Sequence, residues 1–266
     1  MILQIDGIQA HVETLGARGS QLLLLHGWGP SSVSLEKHLL PLGHALKHGH
    51  HITMVDFPGH GSSGQPPGSW GVPQYAQWLL RLMDELALRR IDIIAHSFGG
   101  RVALYLAAKH PERIKRMVLT GCAGIRPKRG LQSRLRGTLF KVGKGAADAL
   151  ARVPAFKPNM EKMKDALRKE TASADYLATP EALRGSFSRI VTDNLRPLLS
   201  LIDQPTLLVW GEVDTATPLW MGRVMQRELK QATLLIYEKD DHFAYLNQLA
   251  RFANAADAFL ERGEQT

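Results

Sequence analysis

The chain holds a single cysteine, Cys122, in 266 residues. One thiol closes no intramolecular disulfide, so a disulfide-stapled fold is excluded and a reduced, cytoplasmic setting is expected. No apolar run approaches the roughly 18 residues that a membrane span needs. Met1 to Ile5 lead straight into a strand pattern, and no signal peptide is expected. The glycine fingerprint of dinucleotide sites and the P-loop are both missing, so no nucleotide cofactor is expected. No Cys or regular carboxylate spacing supports a metal site beside His44, His48, His50 and His51, which read as solvated histidines. Nucleic-acid motifs are missing too, and no nucleic-acid partner is expected.

What is present is an ordinary globular composition, 44% hydrophobic and 22% charged, with enough chain for a large core. The net charge of +8 is unevenly placed. Residues 123–200 hold 16 Lys and Arg against 7 Asp and Glu, so the whole excess lies in that segment. A solvated helical surface accounts for it best, and an attraction for anionic substrates is the weaker alternative.

Strand and helix patterns alternate along most of the chain. Residues 2–5 and 8–14 read as two antiparallel edge strands turning at Asp6-Gly7. Apolar runs at 21–25, 51–56, 113–120, 206–211 and 233–237, and the short β-branched run Ile91, Ile93 and Ile94, read as strands. Helical spacing predicts helices over 32–47 with a break near Pro41, over 73–88, after Gly100, after Pro218 and over about 246–262. Residues 123–200 interrupt the alternation with helical stretches only. The expected fold is therefore α/β: a mostly parallel twisted sheet covered by helices on both faces, built from 1–122 and 201–266. An all-helical cap over 123–200 is the expected insertion.

The stretch Ile91 to Arg101 passes from strand to helix within a few residues, with Ser97 at the bend. Small residues flank it at Ala95 and Gly99, as a very tight turn requires. One reading makes Ser97 an N-cap of the following helix. The other makes it a nucleophile held at a helix N-terminus, where N–H groups favour developing negative charge.

Ala95-His96-Ser97-Phe98-Gly99 resembles the G-x-S-x-G nucleophile elbow of α/β-hydrolases, with Ala in the first Gly position. Three further landmarks follow family order: Leu25-His26-Gly27-Trp28-Gly29, Asp56-Phe57-Pro58-Gly59-His60-Gly61-Ser62-Ser63, and Trp210 to Asp214 with Asp241-His242-Phe243. The chain thus resembles an α/β-hydrolase of the serine carboxylesterase type with a helical cap. The resemblance implies Ser97 as nucleophile, His242 as base and Asp214 as the acid that orients it. It implies an oxyanion hole from the backbone N–H groups of Trp28 and Phe98. Glu212, Asp240 and Asp241 are the rival acids. Asp241 stands before His242 where the family usually has Gly.

His26 and His60 read as braces for their loops, His96 as packing at the elbow, and Cys122 as a small buried residue. Arg101 reads as a pin for loops near the site. Trp28, Phe98, Phe140, Leu219 and Phe243 are the candidate substrate contacts, implying an apolar acyl pocket. The expected activity is cleavage of carboxylic esters of small to medium apolar substrates, with no cofactor. Thioester, lactone and diketone C–C cleavage are alternatives on the same residues, and a ligand receptor with slow turnover is the alternative of another class. The expected partner is a small-molecule ester, and the expected state a monomer or homodimer.

Overall fold

The computed structural model describes residues 1–29, 34–126 and 174–261. Eight strands form one sheet: β1 (Ile2–Ile5), β2 (Ile8–Leu15), β3 (Ser20–Leu25), β4 (His50–Val55), β5 (Ile91–His96), β6 (Ile114–Thr120), β7 (Thr206–Gly211) and β8 (Ala232–Tyr237). Their order is β1-β2-β4-β3-β5-β6-β7-β8. The six strands from β4 to β8 are parallel to one another, and β1 and β2 run antiparallel. The helices are α1 (Leu35–His38), α2 (Leu40–Leu46), α3 (Val72–Glu85), α4 (Phe98–Lys109), α5 (Ala174–Ala178), α6 (Glu181–Thr192), α7 (Trp220–Glu228), α8 (Ala244–Asn247) and α9 (Leu249–Glu261).

Two compact units divide the chain: Met1–Ile125 with Thr179–Thr266, and Arg126–Ala178. α6 therefore belongs to the same unit as the sheet. The second unit contributes Arg126 and α5 to the described residues. Most of the expected cap, residues 127–173, lies outside the described residues, as does Phe140.

The sheet is buried on both faces, which is why its strands read as continuous apolar runs. Leu23, Leu25, Ile91, Ile93 and Ala95 pack with Leu79 and Leu104 from α3 and α4. Leu22, Leu24, Ile94 and Val118 pack on the opposite side with Leu42 of α2 and Phe252 of α9. Each such side chain contributes roughly 1.5–3 kcal/mol when fully buried. The break expected near Pro41 falls at Leu39, between α1 and α2. Pro41 sits in the first turn of α2, where a missing N–H leaves no bond unmade.

Two expectations are corrected. β2 is not an edge strand: its second side pairs with β4, with Val12 opposite Val55. Of the two, β1 alone lies at a sheet edge, joined to β2 through Asp6 (φ 53) and Gly7 (φ 76), the two left-handed residues of a primed hairpin turn. His50 is not solvated. It is 2% exposed, with Nδ1 2.7 Å from Ser20 Oγ and Nε2 2.9 Å from Asp257 Oδ1. Those bonds tie the starts of β3 and β4 to α9 and satisfy a ring that burial would otherwise penalise. His44 and His48 are exposed.

Topology fixes where a site forms. The chain builds β4 on one side of β3 and then crosses to place β5 on the other. In open α/β sheets, sites form at such a switch point, where loops leave the C-terminal ends of neighbouring strands, here β3 and β5. The Trp28 loop follows β3, and Ser97 follows β5. Among the described residues no helix is long and apolar enough to cross a membrane.

Candidate active site

Strand β5 ends at His96 and helix α4 begins at Phe98, so Ser97 alone makes the turn. It does so at φ 49 and ψ −107, a conformation rare for a residue with a Cβ. Holding it there costs on the order of 1–3 kcal/mol. Three backbone bonds impose it: Ser97 N–H to Thr120 O at 3.1 Å, Gly99 N–H to His26 O at 3.0 Å, and Ala123 N–H to Ser97 O at 3.2 Å. Gly99 is required by space, since an added Cβ would lie 2.7 Å from His26 O and 2.8 Å from Leu25 Cβ. The Ser97 side chain makes no capping bond to α4, so the N-cap role is not taken.

The acid–histidine pair comes from the ends of β7 and β8. Asp214 is 4% exposed and its Oδ2 lies 2.8 Å from His242 Nδ1. Nδ1 therefore carries the proton and donates it, which leaves the Nε2 lone pair available as a base. Burial works to raise the Asp214 pKa, but the bonds and charge of His242 and the bonds from Thr217 outweigh it, and the carboxyl is held below its usual range. The rival acids are engaged elsewhere. Glu212 accepts from Lys239 N–H, Asp240 from Asn247 and Gln248, and Asp241 from Phe243 N–H and Asn247. Gly121 (φ 49) closes the other side of the pair: an added Cβ would meet His242 Nδ1 at 3.0 Å and Asp214 Oδ2 at 3.3 Å.

The backbone N–H groups of Trp28 and Phe98 find no acceptor among the described residues. Phe98 opens α4, where helix geometry leaves the first N–H groups unbonded. Its ring is 2% exposed and packs on Phe57 and Tyr75 at centroid distances of 5.1 and 5.0 Å. Trp28 is half-buried, edge-on to Phe98 at 5.4 Å, and its Nε1 donates to Thr179 Oγ1 at 3.1 Å. Leu219 and Phe243 are half-buried, with the Phe243 ring 5.5 Å from that of His242.

Three histidines brace this arrangement in the neutral form. His26 Nδ1 donates to Gly27 O at 2.7 Å, and Nε2 accepts from Phe57 N–H at 3.0 Å. His60 Nδ1 donates to Pro58 O, and Nε2 accepts from Gly29 N–H. His96 Nε2 donates to His242 O at 3.1 Å, and the two rings are 4.5 Å apart. Burial pushes all three below the usual imidazole range, with neighbouring imidazoles adding to the shift. Arg101 Nη1 donates to Ile190 O and Asp193 O at 2.9 Å each, the pinning role expected of it. Cys122 is buried against Gly100, and its thiol is pushed up to about 12, so it stays protonated.

The neutral histidines set an acid limit on stability. Unfolded, each titrates near about 6.5, and folded it titrates lower, so the unfolded chain binds more protons below that pH. Stability is complete well above about pH 6.5 and falls as pH drops toward the folded values, by at most about 1.4 kcal/mol per pH unit for each histidine. Urea unfolding between about pH 8 and pH 5 measures this. The midpoint is expected to decline below about pH 6.5, and a midpoint constant over that range contradicts the assignment.

Sequence reasoning placed Ser97, Asp214 and His242, and the structure brings Asp214 and His242 together beside the elbow. It missed Thr217, whose hydroxyl is 2.7 Å from Asp214 Oδ2. It also missed the anchoring of the Asp56 loop, where the Asp56 carboxylate takes Leu35 N–H at 2.7 Å, Ser62 N–H at 3.1 Å and His11 Nδ1 at 2.7 Å. No local pattern marks either in full, because Thr217 also meets Gly121 O and His242 Nδ1, and Asp56 meets Leu35 and His11, all from other parts of the chain.

A family model for the alpha/beta hydrolase fold matches residues 21–249. The chain belongs to the alpha/beta hydrolase fold family, and it is a hydrolase. It is 31% identical over 261 residues to the pimeloyl-[acyl-carrier protein] methyl ester esterase of Neisseria meningitidis serogroup B, covering 91% of this chain and 93% of that one. It is 24% identical over 277 residues to a 2-hydroxy-6-oxononadienedioate/2-hydroxy-6-oxononatrienedioate hydrolase of a Pseudomonas species, covering 97% and 94%. The crystal structure of a bacterial membrane phospholipase A superposes with a TM-score of 0.75 at 25% identity, covering 100% of this chain and 86% of that one.

Proposed function

We propose that this protein is a serine esterase that cleaves carboxylic esters of small to medium apolar substrates through an acyl-enzyme. His242 Nε2 takes the proton of Ser97 Oγ as that oxygen attacks the ester carbonyl. The resulting oxyanion is met by the N–H groups of Trp28 and Phe98, each worth about 2.7–4 kcal/mol of barrier. His242 then returns its proton to the departing alkoxide, and a water activated in the same way releases the acid. Asp214 holds Nδ1–H and stabilises the imidazolium. Trp28, Leu219 and Phe243 supply apolar walls for the substrate. The reading is carried by the 2.8 Å Asp214–His242 bond beside a serine held at positive φ. An esterase relative at 31% identity favours an ester over a diketone as the bond cleaved. The single, buried, protonated thiol suits a cytoplasmic setting.

A substrate panel tests it. p-Nitrophenyl esters from acetate to octanoate are expected to turn over well above background, and faster than thioesters, lactones or vinylogous diketones. Preference for the diketones replaces the proposal with C–C hydrolysis. Stoichiometric ligand binding without turnover of any member replaces it with a receptor.

A further inference from the structure

Thr217 is the polar side chain at this site to which the reading above gives no part. Its backbone is fixed from two sides: its N–H donates to Asp214 Oδ1 at 2.8 Å, and its carbonyl accepts from Trp210 Nε1 at 2.6 Å. The residue is 4% exposed, and its hydroxyl sits among three polar atoms. Oγ1 is 2.7 Å from Asp214 Oδ2, 3.0 Å from Gly121 O and 3.2 Å from His242 Nδ1.

The hydroxyl has one proton and two acceptors in reach. The carboxylate is the nearer and carries charge, and charge-assisted bonds are shorter and stronger, so the proton goes to Oδ2. The lone pairs of Oγ1 then face the Nδ1–H of His242 as a second, longer acceptor. With Ala216 N–H at 2.9 Å and Thr217 N–H on Oδ1, the carboxylate has four donors for its four lone-pair sites. It has no freedom left to rotate away from His242.

We propose that Thr217 is a positioning residue of this site: its hydroxyl holds Asp214 Oδ2 in line with Nδ1 of His242 and shares in receiving that N–H. The inference rests on the Ser97–His242–Asp214 reading and adds a fourth side chain to it. Two consequences separate this role from plain packing. Removing the hydroxyl takes a long, neutral acceptor from Nδ1–H and at the same time leaves the charged Oδ2 with one donor fewer and more basic. The charge-assisted bond is the stronger of the two, so Oδ2 grips Nδ1–H harder and His242 titrates higher. It also loosens the carboxylate, so proton transfer is less well aligned while substrate binding is untouched. Among the described residues, the other titratable groups facing His242 are Asp214 and His96, whose ring is buried and neutral, and the neighbouring Asp241 is engaged with Phe243 N–H and Asn247.

Thr217→Val keeps the shape of the side chain and removes the hydroxyl. It is expected to lower kcat about 10-fold with KM within about twofold. The acid limb of kcat/KM is expected to move up by about half a pH unit. Thr217→Ser keeps the hydroxyl and is expected to restore both. A Val variant with wild-type kcat and an unmoved acid limb overturns the proposal, as does a Ser variant no better than Val. NMR titration of the His242 imidazole in wild type and Thr217→Val needs no substrate. If no ester is hydrolysed, the esterase reading fails, yet an upward shift of His242 in the Val variant still supports the Thr217 assignment and an unchanged one still overturns it.

Discussion

Alanine at position 97 is expected to remove about 10⁵–10⁶-fold of esterase turnover while the protein stays folded. The size follows from what is lost. Without Oγ there is no nucleophile, and the acyl-enzyme route closes. The Trp28 and Phe98 N–H groups and the apolar walls remain, so a residual rate above water is expected to survive. Stability is expected to change little, because the Ser97 side chain makes no capping bond and alanine meets the same strain at φ 49. A thermal midpoint within about 2–4 °C of wild type, together with wild-type circular dichroism, separates lost chemistry from lost fold. Labelling gives an independent reading: an organophosphonate ester is expected to add one adduct to the wild type and none to the alanine variant. Retention of more than a tenth of the activity removes Ser97 from the mechanism.

Asp214→Asn is expected to lower kcat by about 10⁴-fold, for a reason peculiar to the bonding around this carboxylate. Oδ1 accepts two backbone N–H groups, from Ala216 and Thr217. An asparagine must therefore place its carbonyl oxygen there, or leave two buried donors unpaired. Its NH2 then occupies the position of Oδ2, facing Nδ1 of His242. The imidazole has to turn acceptor at Nδ1 and carry its proton on Nε2, where it no longer accepts the serine proton. The imidazolium also loses its counter-charge. Steady-state kinetics give the ratio, and the Nε2–H tautomer has its own ¹⁵N signature. A loss of less than tenfold would return Glu212, Asp240 and Asp241 to consideration.

Much of this was legible in the residues. β5, β6 and β7 announce themselves as apolar runs ended by Ser97, Gly121 and Gly211, because a strand buried on both faces has no polar phase. The elbow is legible because a turn made by one residue tolerates only Ala95 and Gly99 around it. Pairing is another matter. The apolar and polar phases of β2 say which face is buried, and nothing in them says that β4 takes its outer edge. The buried bonds of His50 depend on Asp257, 207 residues away, so local composition made it look solvated. Thr217 escaped for the same reason. Its position three residues after Asp214 is visible, but its value comes from His242 and Gly121, which the sheet alone brings alongside.

The return of the chain after β6 has a consequence for how such a protein changes over time. Leu195 N–H bonds to Gly124 O at 2.9 Å, and Arg101 on α4 grips the carbonyls of Ile190 and Asp193. The segment between Gly124 and Leu195 thus starts and finishes at one fastened point. The entropy of closing such an excursion grows only with the logarithm of its length, roughly 0.6 kcal/mol for each doubling. Changes of length within 126–178, which lie outside the sheet's compact unit, are expected to leave β6, the short helical turn at Arg196–Leu201 and β7 where they were. The hydrolytic machinery and residues 126–178 are thereby free to evolve at different rates, while 179–195 stay tied to the sheet's own unit through Thr179, which accepts from Trp28 Nε1, and Ser186, which accepts from Trp70 N–H.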